Sequence, residues 1–218
     1  MSEYIDFRKK IENKKIDEAA KILKDGGIII FPTETVYGIG ANGLDEKAVE
    51  KIYVAKERER NKPLILLISD KEMLGKIAEN ISDTEMKLID AFWPGPLTLI
   101  LKRKNIVPDV VTAGSETVGV RMTSGEIAKK LIEKCNFPIT APSANISGKP
   151  TGTNITHILE ELGDKVDCII DGGDSKAGIE STIVRVIDEI PHILRLGAIT
   201  FEQIKNVAET VKFENKDN

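Results

Sequence analysis

The apolar run Gly27-Ile-Ile-Ile-Phe31 breaks into the polar stretch Pro32-Thr-Glu-Thr-Val-Tyr-Gly-Ile-Gly40. The run predicts a short buried strand. Pro32 has no N–H to give to a sheet ladder and closes it. Hydroxyl, acid and hydroxyl then alternate, and Gly38 and Gly40 are expected to free the backbone into a loop. Open α/β sheets bind ligands in such loops, at the carboxyl ends of their strands. Taken alone, the stretch reads equally well as a polar turn over a buried Tyr37.

Strand and helix patterns go on alternating from there. Ile16, Ala19, Ala20 and Leu23 lie at helical spacing, stopped by Gly26-Gly27. Asp45 is placed to cap a helix carrying Ala48, Val49, Ile52 and Tyr53 on one face. Pro63-Leu-Ile-Leu-Leu-Ile68 predicts a strand covered on both sides. Ser69-x-x-Glu72, Ser82-x-x-Glu85 and Thr200-x-x-Gln203 read as capping boxes, each opening a helix. Further strands are expected over 97–101, 118–122, 137–141, 166–170, 181–187 and 192–196, and helices over 127–135 and 155–162. Residues 105–117 read as loop, and 213–218 as a polar, frayed tail. No linker, repeat or low-complexity run divides the chain. The expectation is one α/β domain over 1–211 with a large, mixed, partly parallel sheet flanked by helices, and a tail over 212–218.

Composition narrows the function. At 218 residues and 41% hydrophobic content the chain can bury a real core. No apolar run reaches the roughly 18 residues of a membrane helix. The start, Met-Ser-Glu-Tyr-Ile-Asp, lacks a signal-peptide pattern, so a cytoplasmic chain with no membrane partner is expected. Cys135 and Cys168 are far apart and read as buried hydrophobes. His157 and His192 are the only histidines, and no zinc spacing or His-dependent triad is visible. A net charge of −4 argues against a nucleic-acid coat but allows a local basic pocket.

Lys56, Arg58 and Arg60 stand two apart, and on an extended chain all three would point one way and hold a phosphate chain. The alternative is a solvated helix end neutralised by Glu57 and Glu59. Ser143 and Asn145 could offer a hydroxyl and an amide to phosphate, metal or ribose, or form an ordinary self-satisfied turn. Gly172-Gly173, Gly178 and Ser181 mark a third loop. Arg121 and Arg195 each end a strand-like run, where a buried cation needs an anionic partner. Neither a Walker A motif nor a GxGxxG fingerprint is present, so no P-loop NTPase or Rossmann dehydrogenase is expected. An inventory of Lys, Arg, Ser, Thr and Asn suits phosphoryl or nucleotidyl transfer, where positioning and charge neutralisation supply most of the rate.

Together, Pro32-Thr-Glu-Thr-Val-Tyr-Gly38, Lys56-x-Arg58 before Pro63-Leu64, Ala141-Pro-Ser-Ala-Asn-Ile-Ser-Gly148, Gly178-Ile-Glu-Ser-Thr182 and Ile193-Leu-Arg-Leu-Gly-Ala198 resemble the YrdC/YciO family, in the family's order. The resemblance implies a twisted open sheet bearing a basic concave cavity. It implies a nucleotidyltransferase that makes threonylcarbamoyl-AMP and pyrophosphate from L-threonine, bicarbonate and ATP with Mg²⁺. The product would serve threonylcarbamoyladenosine formation, with tRNA or tRNA-modification proteins as downstream partners. Matched position by position, Lys56, Arg58, Ser143 and Asn145 would be the catalytic group around the triphosphate and its metal. Thr35, Arg121, Ala141 and Ser181 would meet L-threonine, and Lys62, Thr117, Thr151 and Arg195 would meet the nucleotide. An arginine fork suits the threonine carboxylate. Two positions depart from the pattern: Lys62 stands where many relatives have Asn, and Leu67 where many have His. A non-catalytic RNA-binding paralogue and a carbamoyl-adenylate-forming module are the alternatives. Longer relatives add a linker and a second domain beyond the point where this chain ends.

Overall fold

A computed structural model describes residues 2–149, 155–173 and 178–214. In chain order the elements are β1 (Glu3–Asp6), α1 (Asn13–Lys24), β2 (Ile29–Pro32), β3 (Tyr37–Asn42), α2 (Glu46–Ala55), β4 (Ile65–Ile68), α3 (Lys71–Ile77), α4 (Asp83–Phe92), β5 (Leu97–Lys102) and α5 (Asp109–Thr112). They continue with β6 (Thr117–Met122), α6 (Glu126–Cys135), β7 (Ile139–Thr140), α7 (Ile155–Leu162), β8 (Cys168–Asp171), β9 (Thr182–Ile187), β10 (Ile190–Arg195), α8 (Phe201–Ala208) and β11 (Lys212–Phe213).

The stripes at helical spacing face inward: α1 buries Ile16, Ala19, Ala20 and Leu23, and α2 buries Ala48, Val49, Ile52 and Tyr53. The strands form one mixed sheet in the order β1-β8-β2-β3-β7-β4-β6-β5-β9-β10-β11. Pairings such as β4–β6 and β5–β9 are parallel, while β2–β3, β5–β6 and β9–β10 are antiparallel. Helices α1 and α6 pack on each other and on β2, and α8 packs on β10. The expected single α/β domain is what forms.

Several local expectations are corrected. The loop expected after Pro32 is in part a strand: Tyr37–Asn42 form β3, which pairs antiparallel with β2. Gly38 and Gly40 do not adopt left-handed backbone. A Cβ on Gly40 would lie 2.5 Å from the Phe31 ring and 2.8 Å from Ile139, so this glycine serves close strand approach. Edge strand β1 was not foreseen; it pairs parallel with β8. The expected loop 105–117 contains the single turn α5. Ser69 does not cap α3: Asp70 accepts from the Met73 N–H at 2.8 Å, and Ser69 Oγ donates to Asp70. The boxes at Ser82/Glu85 and Thr200/Gln203 form as read. The tail boundary also moves. Lys212–Phe213 pair with β10, and Phe213, though more than half exposed, stacks on Phe201 with ring centroids 5.3 Å apart.

Cys135 and Cys168 are buried, and desolvation pushes both thiols up to about 12. Among the described residues no helix is long and apolar enough to cross a membrane.

Candidate active site

The loop between β2 and β3 folds on its own hydroxyls. Thr33 Oγ1 donates to the Val36 carbonyl at 2.6 Å and lies 2.9 Å from Thr35 Oγ1. Arg121, on β6 opposite Leu67, reaches across to donate from Nη1 to Thr35 Oγ1 at 3.0 Å. Both side chains are almost fully buried, at 1% and 3% exposure. Glu34 is the acid that makes a buried guanidinium tolerable: its Oε1 lies 3.6 Å from Arg121 Nε, and its Oε2 accepts from Thr123 Oγ1. Glu34 Oε1 and Arg121 Nε complete no hydrogen bond. Burial lowers the Arg121 pKa and Glu34 opposes that shift; with so basic a group the charge persists.

A second wall comes from the end of α2. Arg58 N–H donates to Tyr53 O and Glu57 N–H to Val54 O, with Glu57 in the left-handed region at φ 52°. This is a Schellman termination with Glu in the position glycine usually takes. It turns the chain so that Lys56 and Arg58 both point inward. Lys56 is 1% exposed, and its Nζ donates to the carbonyls of Ser143 (2.5 Å) and Asn145 (2.6 Å), with Asn145 Oδ1 at 3.4 Å. Burial pulls this ammonium down to about 8. Ser143 Oγ donates to Asn145 Oδ1 at 2.7 Å, and Asn145 Nδ2 donates to the carbonyls of Ile146 and Lys149. Arg58 is anchored by Nε on Lys62 O (3.1 Å) and by Nη2 on Pro63 O (3.0 Å).

The third wall depends on a bulge. Ile193 pairs with Val184, but Arg195 pairs with Ile183, so the register slips between them. Unbroken alternation would send Arg195 to the core face with Ile193; the extra residue turns it to the face of Ile183. Arg195 donates to Ser181 O at 2.9 Å and to Glu180 Oε2 at 2.5 Å. Ser181 Oγ is 2.8 Å from Thr98 Oγ1.

These walls enclose a cavity of about 220 Å³. Of the residues expected at the site, Thr35, Arg58, Arg121, Ala141, Ser143, Ser181 and Arg195 line it. Lys56 and Asn145 stand behind the lining, holding the loop that carries Ser143. Lys62 and Thr117 are off the lining: Lys62 pairs with Glu59 at an exposed turn, and Thr117 bonds with Ser115. Arg60 does not join its neighbours either; 57 is left-handed rather than extended, and Arg60 pairs outward with Glu50 at 2.7 Å. Thr151 lies outside the described residues. Thr33, Glu34 and Glu180 were not singled out from sequence, although each sits inside a motif that was.

The cavity therefore presents three guanidinium groups and a serine on a pinned loop, a donor set made for anions. Among the described residues no cluster of three or more His, Cys, Asp or Glu could hold a metal ion.

Comparison with known proteins agrees with this architecture. The family model for Sua5/YciO/YrdC, described as "Telomere recombination", matches residues 21–197. A Pyrococcus abyssi threonylcarbamoyl-AMP synthase is 46% identical over 212 residues, covering 97% of this chain and 62% of the relative. A Bacillus subtilis threonylcarbamoyl-AMP synthase is 45% identical over 197 residues, covering 88% of this chain and 56% of the relative. The crystal structure of P. abyssi Sua5 complexed with L-threonine superposes with a TM-score of 0.94 at 46% identity, covering 97% of this chain and 62% of that one. The chain thus spans less than two thirds of the length of these relatives. With most of its residues matched by the family model and a relative at 46% identity across 97% of it, the chain belongs to the Sua5/YciO/YrdC family.

Proposed function

We propose that this chain is a nucleotidyltransferase that forms threonylcarbamoyl-AMP and pyrophosphate from L-threonine, bicarbonate and ATP. The observation that carries this reading is the convergence of Arg58, Arg121, Arg195 and Ser143 on one cavity, beside a loop that Lys56 pins from behind. The names of the two relatives and the L-threonine complex of P. abyssi Sua5 support it.

The chemistry asks little of a protein base. The threonine ammonium gives a proton to solvent, and the neutral amine adds to bicarbonate. An N–C bond forms, a C–O bond breaks, and the departing hydroxyl takes the second N–H proton and leaves as water. The carbamate is already anionic. Its oxygen attacks the α-phosphorus, the bond to the bridging oxygen breaks, and pyrophosphate departs. Arg58 and Arg195 offset the charge growing on the leaving group, and Arg121 with Thr35 holds the amino acid's carboxylate. Lys56 and Asn145 act through the loop, fixing Ser143 where the phosphates arrive. Mg²⁺ would enter with ATP, where it would offset phosphate charge beside Ser143 and the guanidinium groups. The product would pass to tRNA or to tRNA-modification proteins, in keeping with a cytoplasmic location.

Pyrophosphate release from MgATP tests this. It is expected to require L-threonine and bicarbonate together. Release driven by carbamoyl phosphate instead would point to a carbamoyl-adenylate module, and no release with any combination would leave only a binding role.

A further inference from the structure

Glu180 is the one carboxylate on the cavity lining among the described residues. It lines the same cavity as Arg58, Arg121 and Arg195. An acid here works against a polyphosphate guest. It therefore needs a reason, and Arg195 is a partial one, since Nη1 engages only Oε2. The side chain is 39% exposed and keeps accepting capacity. Its neighbour Ser181 has little to spare: its carbonyl takes the Arg195 fork and its hydroxyl is engaged with Thr98.

We propose that Glu180 receives the α-ammonium of the amino-acid substrate, in the cavity it lines together with Arg121. This rests on the amino-acid reading given above. A zwitterion needs a donor fork and an anionic acceptor in one hollow; Arg121 with Thr35 supplies the fork and a neutral hydroxyl, and Glu180 is the carboxylate on the same lining. A metal ion is the less fitting guest for Glu180, because a divalent cation would sit against the Arg195 guanidinium already bonded to that carboxylate. The assignment also gives the reaction a direction. Carbamate formation turns a cationic nitrogen into an anionic group, which Glu180 repels toward the guanidinium groups.

The test is titration calorimetry of L-threonine into the wild type, Glu180→Gln and Glu180→Asp, without nucleotide and with MgATP but no bicarbonate. A second probe is 2,3-dihydroxybutanoate, which keeps the carboxylate and lacks the amine. Glu180→Gln is expected to weaken L-threonine at least about tenfold, as for a lost charge-assisted bond. It should leave 2,3-dihydroxybutanoate unchanged or tighter, and Glu180→Asp should recover part of the loss. MgATP affinity should hold or rise, since Arg195 is released. Unchanged L-threonine affinity in Glu180→Gln, or a loss confined to MgATP, overturns the assignment and leaves Glu180 as a partner of Arg195 or of the metal. A wild type that binds no L-threonine in either condition overturns the amino-acid reading itself, and the assignment with it.

Discussion

The two flanks of the cavity are built in opposite ways. On one, the Lys56 side chain is 1% exposed and its ammonium is engaged by loop oxygens, so the Ser143 loop is fixed before any ligand arrives. On the other, Arg195 and Glu180 form a pair at 40% and 39% exposure, able to exchange partners with water or ligand. The first is suited to preorganised stabilisation, which costs no rearrangement during reaction. The second suits capture, where an ion pair opens to admit a guest.

Lys56→Met attacks the fixed flank and carries the largest expected effect. The loop carbonyls lose their donor, and Ser143 drifts. Pyrophosphate release is expected to fall at least about a hundredfold, the scale of an ångström-sized misplacement. Stability, read by urea denaturation, should fall by only about 1–2 kcal/mol, because orphaned carbonyls are partly offset by removal of a buried charge. The wild type also carries a pH signature that the variant lacks. The Lys56 pKa is pulled from its ordinary 10.5 down to about 8, chiefly by burial and next by Arg58, with Glu180 and Glu161 opposing. Between those values the unfolded chain holds more protons than the folded one. Wild-type stability should therefore rise relative to Lys56→Met across about pH 8 to 10.5. Turnover should decline over the same window, since a neutral amine has two N–H groups for three acceptors. A flat stability difference would mean that Lys56 is hydrated rather than clamped.

Arg195→Ala probes the open flank and should do less. The KM for ATP is expected to rise about three- to tenfold and kcat to fall about threefold, the latter from the charge it offsets on the leaving group. Stability should change by under about 1 kcal/mol, as for other half-exposed ion pairs. A loss of activity as large as that of Lys56→Met would erase the distinction between the flanks.

Sequence made the fixed flank more legible than the open one. Helical stripes, apolar runs and two of three capping boxes are local signals, and they placed most elements. Only the family resemblance groups Lys56 with Ser143 and Asn145, and it groups them around a triphosphate; that Lys56 Nζ binds the carbonyls of that loop is visible only in the structure. Extended chain was the assumption that put Arg60 in the site, and a left-handed Glu57 undid it. The open flank turns on a register slip between Ile193 and Arg195, whose one mark in the sequence is the apolar doublet Ile193-Leu194, a pattern too common to place a bulge by itself. Glu180 and Glu34 were hidden for a related reason. An acid inside a motif read for its hydroxyls gains meaning only when a guanidinium from a distant strand lies against it. Strand β3 was missed because Gly38 and Gly40 argue for a loop unless Phe31 and Ile139 are known to crowd them.

Glu57 offers the finest test of the fixed flank, because the turn there aims both Lys56 and Arg58. A non-glycine residue in the left-handed region costs roughly 1–2 kcal/mol, while glycine costs roughly 0.5–1 kcal/mol more chain entropy on folding. The exposed pair of Glu57 with Lys165, at 3.0 Å, is worth a few tenths. Glu57→Gly should thus lie between near-neutral and a gain of about 1 kcal/mol, with unchanged pyrophosphate release. Glu57→Val, β-branched in the same conformation, should lose on the order of 1–2 kcal/mol and lower release as the turn distorts. If urea midpoints and release rates are the same for both variants, the left-handed turn does not aim the two cations, and the fixed flank rests on the bonds of Lys56 to its loop alone.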